Sequence, residues 1–457
     1  MKFKLSKYIL PAVVSMVLVG AYTNIDGLFI GKAAGDDGIA AINIVWPIVA
    51  LITSLGTGIG VGGSVVVSNL QGKGETVLAA TARRTSLFLL IIAGLAATLV
   101  LFFCYSPLLN LMGAEGQVFA YAKNYAFVVT LGAVFQVMGA GLVVLLRCDG
   151  KTGLAMLYTA IGLVIHIMLD WLLVNRFVLY GVAVSTVIAQ AVVMAAGLFS
   201  YRIQWFERIR FTYGWEIIRS ALAPFGVNFV SSLVLLFTNY FALRTGGTAA
   251  VSAYGVMSYA VYTYDYVFQG VCDGVQPIIS FCNGAEDDEQ KRNTVRIAVI
   301  LLGALAVIFA LITPVMIWGL PALFSVSAQT GIFMQQGLII YAFSYPFKAG
   351  IKFICAYHYS NKRAWQANIL IYLDPLLTPL FLMFLPQLFG MNGIWLALPL
   401  TQTFVFVMGI FLMTVFFGTN GRKVKEARTK RNICKTSGLS GTNNRKADNK
   451  KEGQIND

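Results

Sequence analysis

Of the 457 residues, 58% are hydrophobic and only 12% charged, with a mean hydropathy of +0.74. Soluble domains carry about 25% charged residues, so the missing charge excludes an ordinary soluble globule. The net charge of +14 would suit a nucleic-acid binder, but its placement along the chain points to a lipid bilayer and to no nucleic acid.

The apolar residues fall in blocks of about 20, the length at which an α-helix crosses roughly 30 Å of hydrocarbon. In chain order the blocks predict twelve spans, near 7–30, 42–69, 86–105, 121–146, 154–175, 181–203, 219–243, 252–281, 295–318, 333–357, 365–386 and 393–417. They are too long for the ten-residue strands of a membrane barrel and show no alternation of period two. The predicted fold class is an all-α polytopic membrane protein. The first block follows a short basic stretch, as a signal peptide does. It is long, runs into Asn24-Ile25-Asp26 and has no A-x-A-like cleavage site, so it reads as a retained helix.

The basic residues fix the expected orientation. With the N-terminus in the cytoplasm, 28 of the 34 Lys and Arg fall on the cytoplasmic side, eleven of them from Arg422 onward. Only Lys32, Lys123, Arg176 and Arg244 fall outside, and Lys348 and Lys352 lie within a span. By the positive-inside rule both termini are cytoplasmic in the cell membrane. The six cysteines form no C-x-x-C or Cys/His cluster, and structural thiols are expected, with no metal centre and no cofactor.

Internal echoes point to duplication. Pro11 and Pro224 are 213 residues apart, Ser68/Gly72 and Ser280/Gly284 are 212 apart, and Gly181–Gln190 matches Gly393–Gln402 at 212. Ile167-Met168-Leu169-Asp170 echoes Ile371-Tyr372-Leu373-Asp374 at 204, which implies a longer connection in one half. Six spans per half is an even number, so the halves enter the membrane from the same side. They are expected to form two six-helix lobes related by a pseudo-two-fold axis along the membrane normal, with a cavity between them. The expected division is an N-terminal lobe over 1–203, a cytoplasmic linker over 204–218, a C-terminal lobe over 219–418 and a basic disordered tail over 419–457. The tail reads as a solvated segment reinforcing topology, with contact to anionic lipid as the alternative.

Four stretches then carry a family resemblance: Leu10-Pro11 with Asn24-Ile25-Asp26-Gly27; Gly56-Thr57-Gly58 through Ser68-Asn69-Leu70-Gln71-Gly72; Leu146-Arg147-Cys148-Asp149-Gly150; and Gln269-Gly270 through Gln276-Pro277 to Asn283-Gly284. Over about residues 5–418 the chain resembles the MATE (multidrug and toxic compound extrusion) transporters. The resemblance implies antiport, in which a proton or sodium ion enters while an amphipathic, often cationic organic compound leaves, and it implies a monomer.

Ionisable groups at bilayer depth are costly and mark functional sites by default. Asp26 lies about 18 residues into its span and Asp170 about 16 into a parallel one, which sets the two carboxylates at nearly one depth. They could share a proton or, ionised, hold Na⁺; the bland alternative is a pair of hydrogen-bonded packing acids. The resemblance also points to these two acids as the cation site. His166 stands one turn before Asp170, where the family commonly has Asn. A proton relay through it tilts the coupling ion toward H⁺, with a merely hydrogen-bonded core histidine as the alternative.

The repeat puts Asn239 where Asp26 stands, so the second lobe has a different set: Asp265, Asp273, Lys348, Lys352 and Asp374. Neutralising pairs and a substrate or gating role are the two readings of that set. Pro11 is the expected hinge, since a bend in the first helix would change the surroundings of Asp26. Tyr254, Tyr259, Tyr262, Tyr264, Tyr266 and Phe268, with Met138 and Met257, could line an aromatic cavity or could simply pack.

Two other functions fit the sequence less well. A flippase for lipid-linked saccharide shares this architecture, but such proteins typically have extra spans or a cluster of cavity arginines. A membrane-embedded enzyme needs a nucleophile or metal set, and two histidines, His166 and His358, with no H-E-x-x-H, do not provide one. No Walker A sequence supports ATP-driven transport.

Overall fold

The computed structural model describes residues 4–201, 211–323 and 326–414. The tail expected over 419–457 and residues 204–210 of the expected linker lie outside these. Residues 211–218 of that linker are already helix.

Twelve helical spans follow one another: α1 Ser6–Gly35, α2 Asp37–Gly72, α3 Thr76–Leu111, α4 as the bent pair Gly116–Leu131 and Ala133–Cys148, α5 152–177, α6 179–201, α7 211–246, α8 248–285, α9 Asp288–Leu323, α10 as the bent pair Ala328–Ala342 and Tyr345–Ser360, α11 Ala364–Phe389 and α12 Met391–Thr414. The α4 and α10 pairs bend by 59° and 51°. Three helical stretches run on through single-residue breaks, at Gly35, Val178 and Gly247. The stretch over Thr152–Tyr201 has 50 residues, about 75 Å at 1.5 Å per residue, more than twice the hydrocarbon thickness. Each such stretch therefore holds two spans. Among the described residues there is no strand.

The outer faces are apolar. On α9, Val307, Leu311, Val315 and Trp318 are 57, 72, 71 and 77% exposed, a continuous helix face that only lipid can solvate cheaply. The chain is a multi-pass membrane protein.

The two halves repeat in space with one offset. Ser64 on α2 donates to Gln276 Oε1 on α8, 212 residues on. Around this contact the helices pack through pairs of small residues related by the same offset. A Cβ on Gly62 (α2) would meet Ala221 N (α7) at 2.8 Å, and one on Gly274 (α8) would meet Ile9 Cα (α1) at 2.7 Å. Gly58 faces Phe225 as Gly270 faces Val13, and Gly72 lies on the Phe281 carbonyl as Gly284 lies on that of Asn69. Only glycine permits such close backbone approach. The helix breaks obey the same rule: Gly35 pairs with Gly247, and Val178 with Gly390, at φ of 58, 67, 47 and 55°. Contacts group the described residues up to Phe406, hence nearly all of both halves, into one compact unit, and those from Val407 into another.

The constant offset corrects two sequence alignments. Helix α11 has 26 residues from Ala364 to the break at Gly390, and α5 has the same length from Thr152 to Val178. The connection is thus no longer in one half than in the other. Asp374 stands where Gly162 does, and the echo of Asp170 by Asp374 is a chance match. Likewise Thr238, not Asn239, occupies the place of Asp26, because α7 is shifted by 212 and not 213 residues against α1.

Pro11 removes the backbone N–H that would bond the Lys7 carbonyl, and Thr152 Oγ1 at the start of α5 donates to that carbonyl at 2.6 Å. Ser15 Oγ in turn donates to the Pro11 carbonyl at 2.7 Å. The proline thus ties the start of α1 to α5, the helix that carries His166 and Asp170.

Candidate functional site

In the first half α1, α5 and α6 converge on one buried cluster. Their helical spacing puts Tyr22 and Asp26 on one face of α1, and His166 and Asp170 on one face of α5. His166 Nε2 lies 3.1 Å from Asp26 Oδ1, 3.5 Å from Asp170 Oδ2 and 3.2 Å from Thr186 Oγ1 on α6. His166 and Asp170 are wholly buried and Asp26 is 8% exposed. The Tyr22 ring lies 4.6 Å from the imidazole, tilted by 31°. Gly162 makes room for the Tyr22 hydroxyl, which a Cβ there would meet at 2.6 Å.

The Thr186 hydroxyl donates to the Val182 carbonyl at 3.0 Å, so towards His166 it can only accept. With both carboxylates ionised, all three neighbours of Nε2 are acceptors, and Nε2 then carries a hydrogen. Asp26 Oδ1, both oxygens of Asp170, His166 Nδ1 and the Tyr22 hydroxyl make no well-aligned hydrogen bond, although Asp26 Oδ1 and Asp170 Oδ2 approach Nε2 to 3.1 and 3.5 Å. One ligand atom from each of Asp26, His166 and Asp170 lies within 4.8 Å of the others. Two carboxylates with unmet oxygens in a low-dielectric interior cannot both stay ionised cheaply, so the arrangement is chemically suited to taking up a proton or a small cation. The imidazole nitrogen is a poor alkali-ion ligand. Asp26, His166 and Asp170 thus come together as the sequence indicated. Tyr22 and Thr186 carry no sequence signal that would have singled them out.

The second half has no copy of this cluster, since Thr238 stands for Asp26 and Thr378 for His166. Its five charged candidates form a different arrangement. Asp265 lies between Lys348 Nζ at 3.2 Å and Lys352 Nζ at 2.9 Å. Lys352 also donates to Gln269 Oε1, and Gln269 donates to Asp273 Oδ1 at 2.8 Å. Asp273 pairs with Arg147 of the first half at 3.0 Å. Asp374 accepts from Thr378 Oγ1 at 3.0 Å and from Gln402 Nε2 at 3.4 Å. It shares a cavity of about 50 Å³ with Lys348, Tyr254 and Tyr262.

The expected aromatic wall is divided between packing and cavity. Tyr264 stacks on Phe309, and Phe268, Met138 and Met257 are core. Tyr266 and Tyr259 lie against Gly20 and Gly27 of α1. Arg147, counted from sequence as a turn charge, is 4% exposed.

The MatE family model matches residues 11–172 and again 225–371, once in each half. The chain belongs to the MatE family. Among curated relatives, it is similar to the "Multidrug export protein MepA" of Staphylococcus saprophyticus, 26% identical over 313 residues, covering 66% of this chain and 68% of that one. The namesake from Staphylococcus aureus is 26% identical over 314 residues, covering 65% and 68%. Among solved structures, a MOP superfamily transporter from Pyrococcus furiosus superposes with a TM-score of 0.84 at 18% identity, covering 91% of this chain and 95% of that chain. A multidrug resistance MATE family transporter in an outward-facing conformation gives 0.83 at 18% identity, with the same coverage. As a MatE chain of twelve apolar spans, the protein is a transporter.

Proposed function

We propose that the protein is a cation-coupled antiporter of the cell membrane, exporting amphipathic, often cationic organic compounds by alternating access. The observation that carries this reading is the Asp26–His166–Asp170 cluster, buried between α1, α5 and α6 with three carboxylate oxygens unmet. A proton, rather than Na⁺, is the coupling ion. A histidine nitrogen occupies the centre of the cluster, and imidazole accepts and passes protons near neutral pH. Protonating the cluster as cargo leaves and deprotonating it toward the cytoplasm would couple inward H⁺ flow to export. Both termini lie in the cytoplasm, as the charge bias requires. Multidrug export by the staphylococcal relatives supports small organic cargo.

A lipid-linked pyrophosphate cargo is disfavoured. Among the described residues, the buried Arg147 and the half-buried Lys348 and Lys352 are each paired with a carboxylate, which leaves no unpaired donor set for phosphate among them.

The test is movement of a fluorescent organic cation in everted vesicles, with proton and sodium gradients imposed separately. The expected result is proton-driven uptake, lost in Asp26→Asn. Sodium-driven uptake alone would transfer the coupling to Na⁺, and no movement with well-folded protein would sink the exporter reading.

A further inference from the structure

The glycine contacts around Ser64 and Gln276 recur on both sides of the pseudo-two-fold axis, but two side-chain contacts across it do not: the neutral hydrogen bond from Asn228 to Thr57 at 3.0 Å, and an ion pair. Arg147, at the end of α4, reaches α8 of the other half and pairs with Asp273 at 3.0 Å. The positions related to these by the offset of 212 are Tyr359 and Val61, which can form no ion pair. Among the described residues, each of the other Asp or Glu ion pairs with Lys, Arg or His stays within one half. The Arg147–Asp273 pair is therefore an ionic addition to a seam that closes elsewhere by close backbone packing and the neutral hydrogen bonds Ser64–Gln276 and Asn228–Thr57.

We infer that Arg147 and Asp273 form a one-sided latch between the halves, holding the helix ends at Gly72 and Gly284 together, with Gln269 as its positioning residue. Three observations support it. First, the pair is buried, with side chains 5 and 11% exposed. A buried ion pair contributes little net stability over an apolar pair of similar shape, yet strands a charge when one partner leaves. It is suited to a bond that is made and broken as a unit. Second, the arginine is under-satisfied: Nε has no partner, and the surrounding residues Val61, Val144 and Pro277 are apolar, with Gln276 the neighbouring polar side chain. Third, Gln269 connects the latch to the second half's interior. It donates to Asp273 Oδ1 and accepts from Lys352, which is paired with Asp265 and, through it, with Lys348 beside the Asp374 cavity. A change of charge or occupancy in that cavity is one hydrogen-bonded line away from the contact that joins the halves.

Because the latch rests on the alternating-access reading, its test reads conformation rather than transport. Lys73 and Glu286 are exposed and follow Gly72 and Ala285 at the seam. Spin labels on Lys73→Cys and Glu286→Cys, with Cys104 and Cys434 replaced by serine, report the separation of the two helix ends by pulsed electron resonance in nanodiscs. The parent gives a short distance. Asp273→Asn and Arg147→Met each move most of the population to a longer distance, and Gln269→Leu moves a smaller share. The exchange Arg147→Asp/Asp273→Arg restores the short distance, which a merely destabilised fold would not do. Variants are compared only when they elute as the parent does on size exclusion. A short distance unchanged in Arg147→Met, Asp273→Asn and Gln269→Leu overturns the latch. So does an exchange variant that stays long. Dye transport and the spin-label distance fail independently, so loss of one does not decide the other.

Discussion

Ser64 and Gln276 are each other's images under the internal repeat, and their hydrogen bond of 2.9 Å marks where the pseudo-two-fold axis passes between α2 and α8. The glycine approaches of α2 and α8 come as pairs: Gly58 with Gly270, Gly62 with Gly274, and Gly72 with Gly284. Equal substitutions on the two sides are therefore expected to have equal effects.

Gly62→Val and Gly274→Val test this. Each adds atoms where a Cβ already meets the opposing helix within 3 Å, at Ala221 N and at Ile9 Cα. Each is expected to destabilise the protein by about 1–3 kcal/mol, the usual cost of overpacking. Thermal unfolding in detergent reads it, and a large effect on one side with none on the other contradicts the symmetry.

The break between α5 and α6 is the one break where a β-branched residue stands. Val178 has φ 47° and ψ −125°, a region that favours glycine, and its counterpart Gly390 uses it freely. Such strain costs on the order of 1–3 kcal/mol. Val178→Gly is expected to raise the unfolding midpoint despite the lost side chain, whereas Val178→Ala keeps the strain and does not. A lower midpoint in Val178→Gly contradicts the strained break.

In the second half, Asp265 balances two ammonium groups. Asp265→Leu leaves both half-buried ammonium groups without a counter-charge, Lys352 keeping only the neutral Gln269, and is expected to cost about 3–5 kcal/mol. Lys348→Met/Asp265→Leu/Lys352→Met together remove every charge of the triad and are expected to recover most of that loss. Yield and unfolding midpoint of the two variants decide it; a triple variant no better than the single one shows that charge balance is not what Asp265 supplies.

Thr186 accepts from His166 Nε2 and donates to Val182. Thr186→Val preserves shape and removes the acceptor that fixes the imidazole. Proton-driven dye transport is expected to fall about tenfold, equivalent to about 1.4 kcal/mol, with dye affinity unchanged. Unchanged transport would show that the hydroxyl does not orient the imidazole.

Much of the fold was legible because bilayer thickness writes itself into the sequence: blocks of about 20 apolar residues fix span number, and one offset fixes the repeat. Asp26 and Asp170 were legible because a carboxylate at bilayer depth is too costly to be casual. Their exact partners were not. Thr186 is an ordinary membrane-helix threonine until α6 packs against α5, and Arg147 looks like one more turn charge until α4 reaches α8. The Asp170/Asp374 echo misled because four similar residues in apolar helices match by chance, whereas helix lengths do not.

The measurement closest to the central claim is proton release by purified protein on binding a fluorescent organic cation, in weakly buffered detergent solution. The account predicts release from the wild-type protein, and its loss in Asp26→Asn and in Asp170→Asn while both variants still bind the dye. Undiminished release from both variants would contradict it, because the proton would then reside somewhere other than the Asp26–His166–Asp170 cluster.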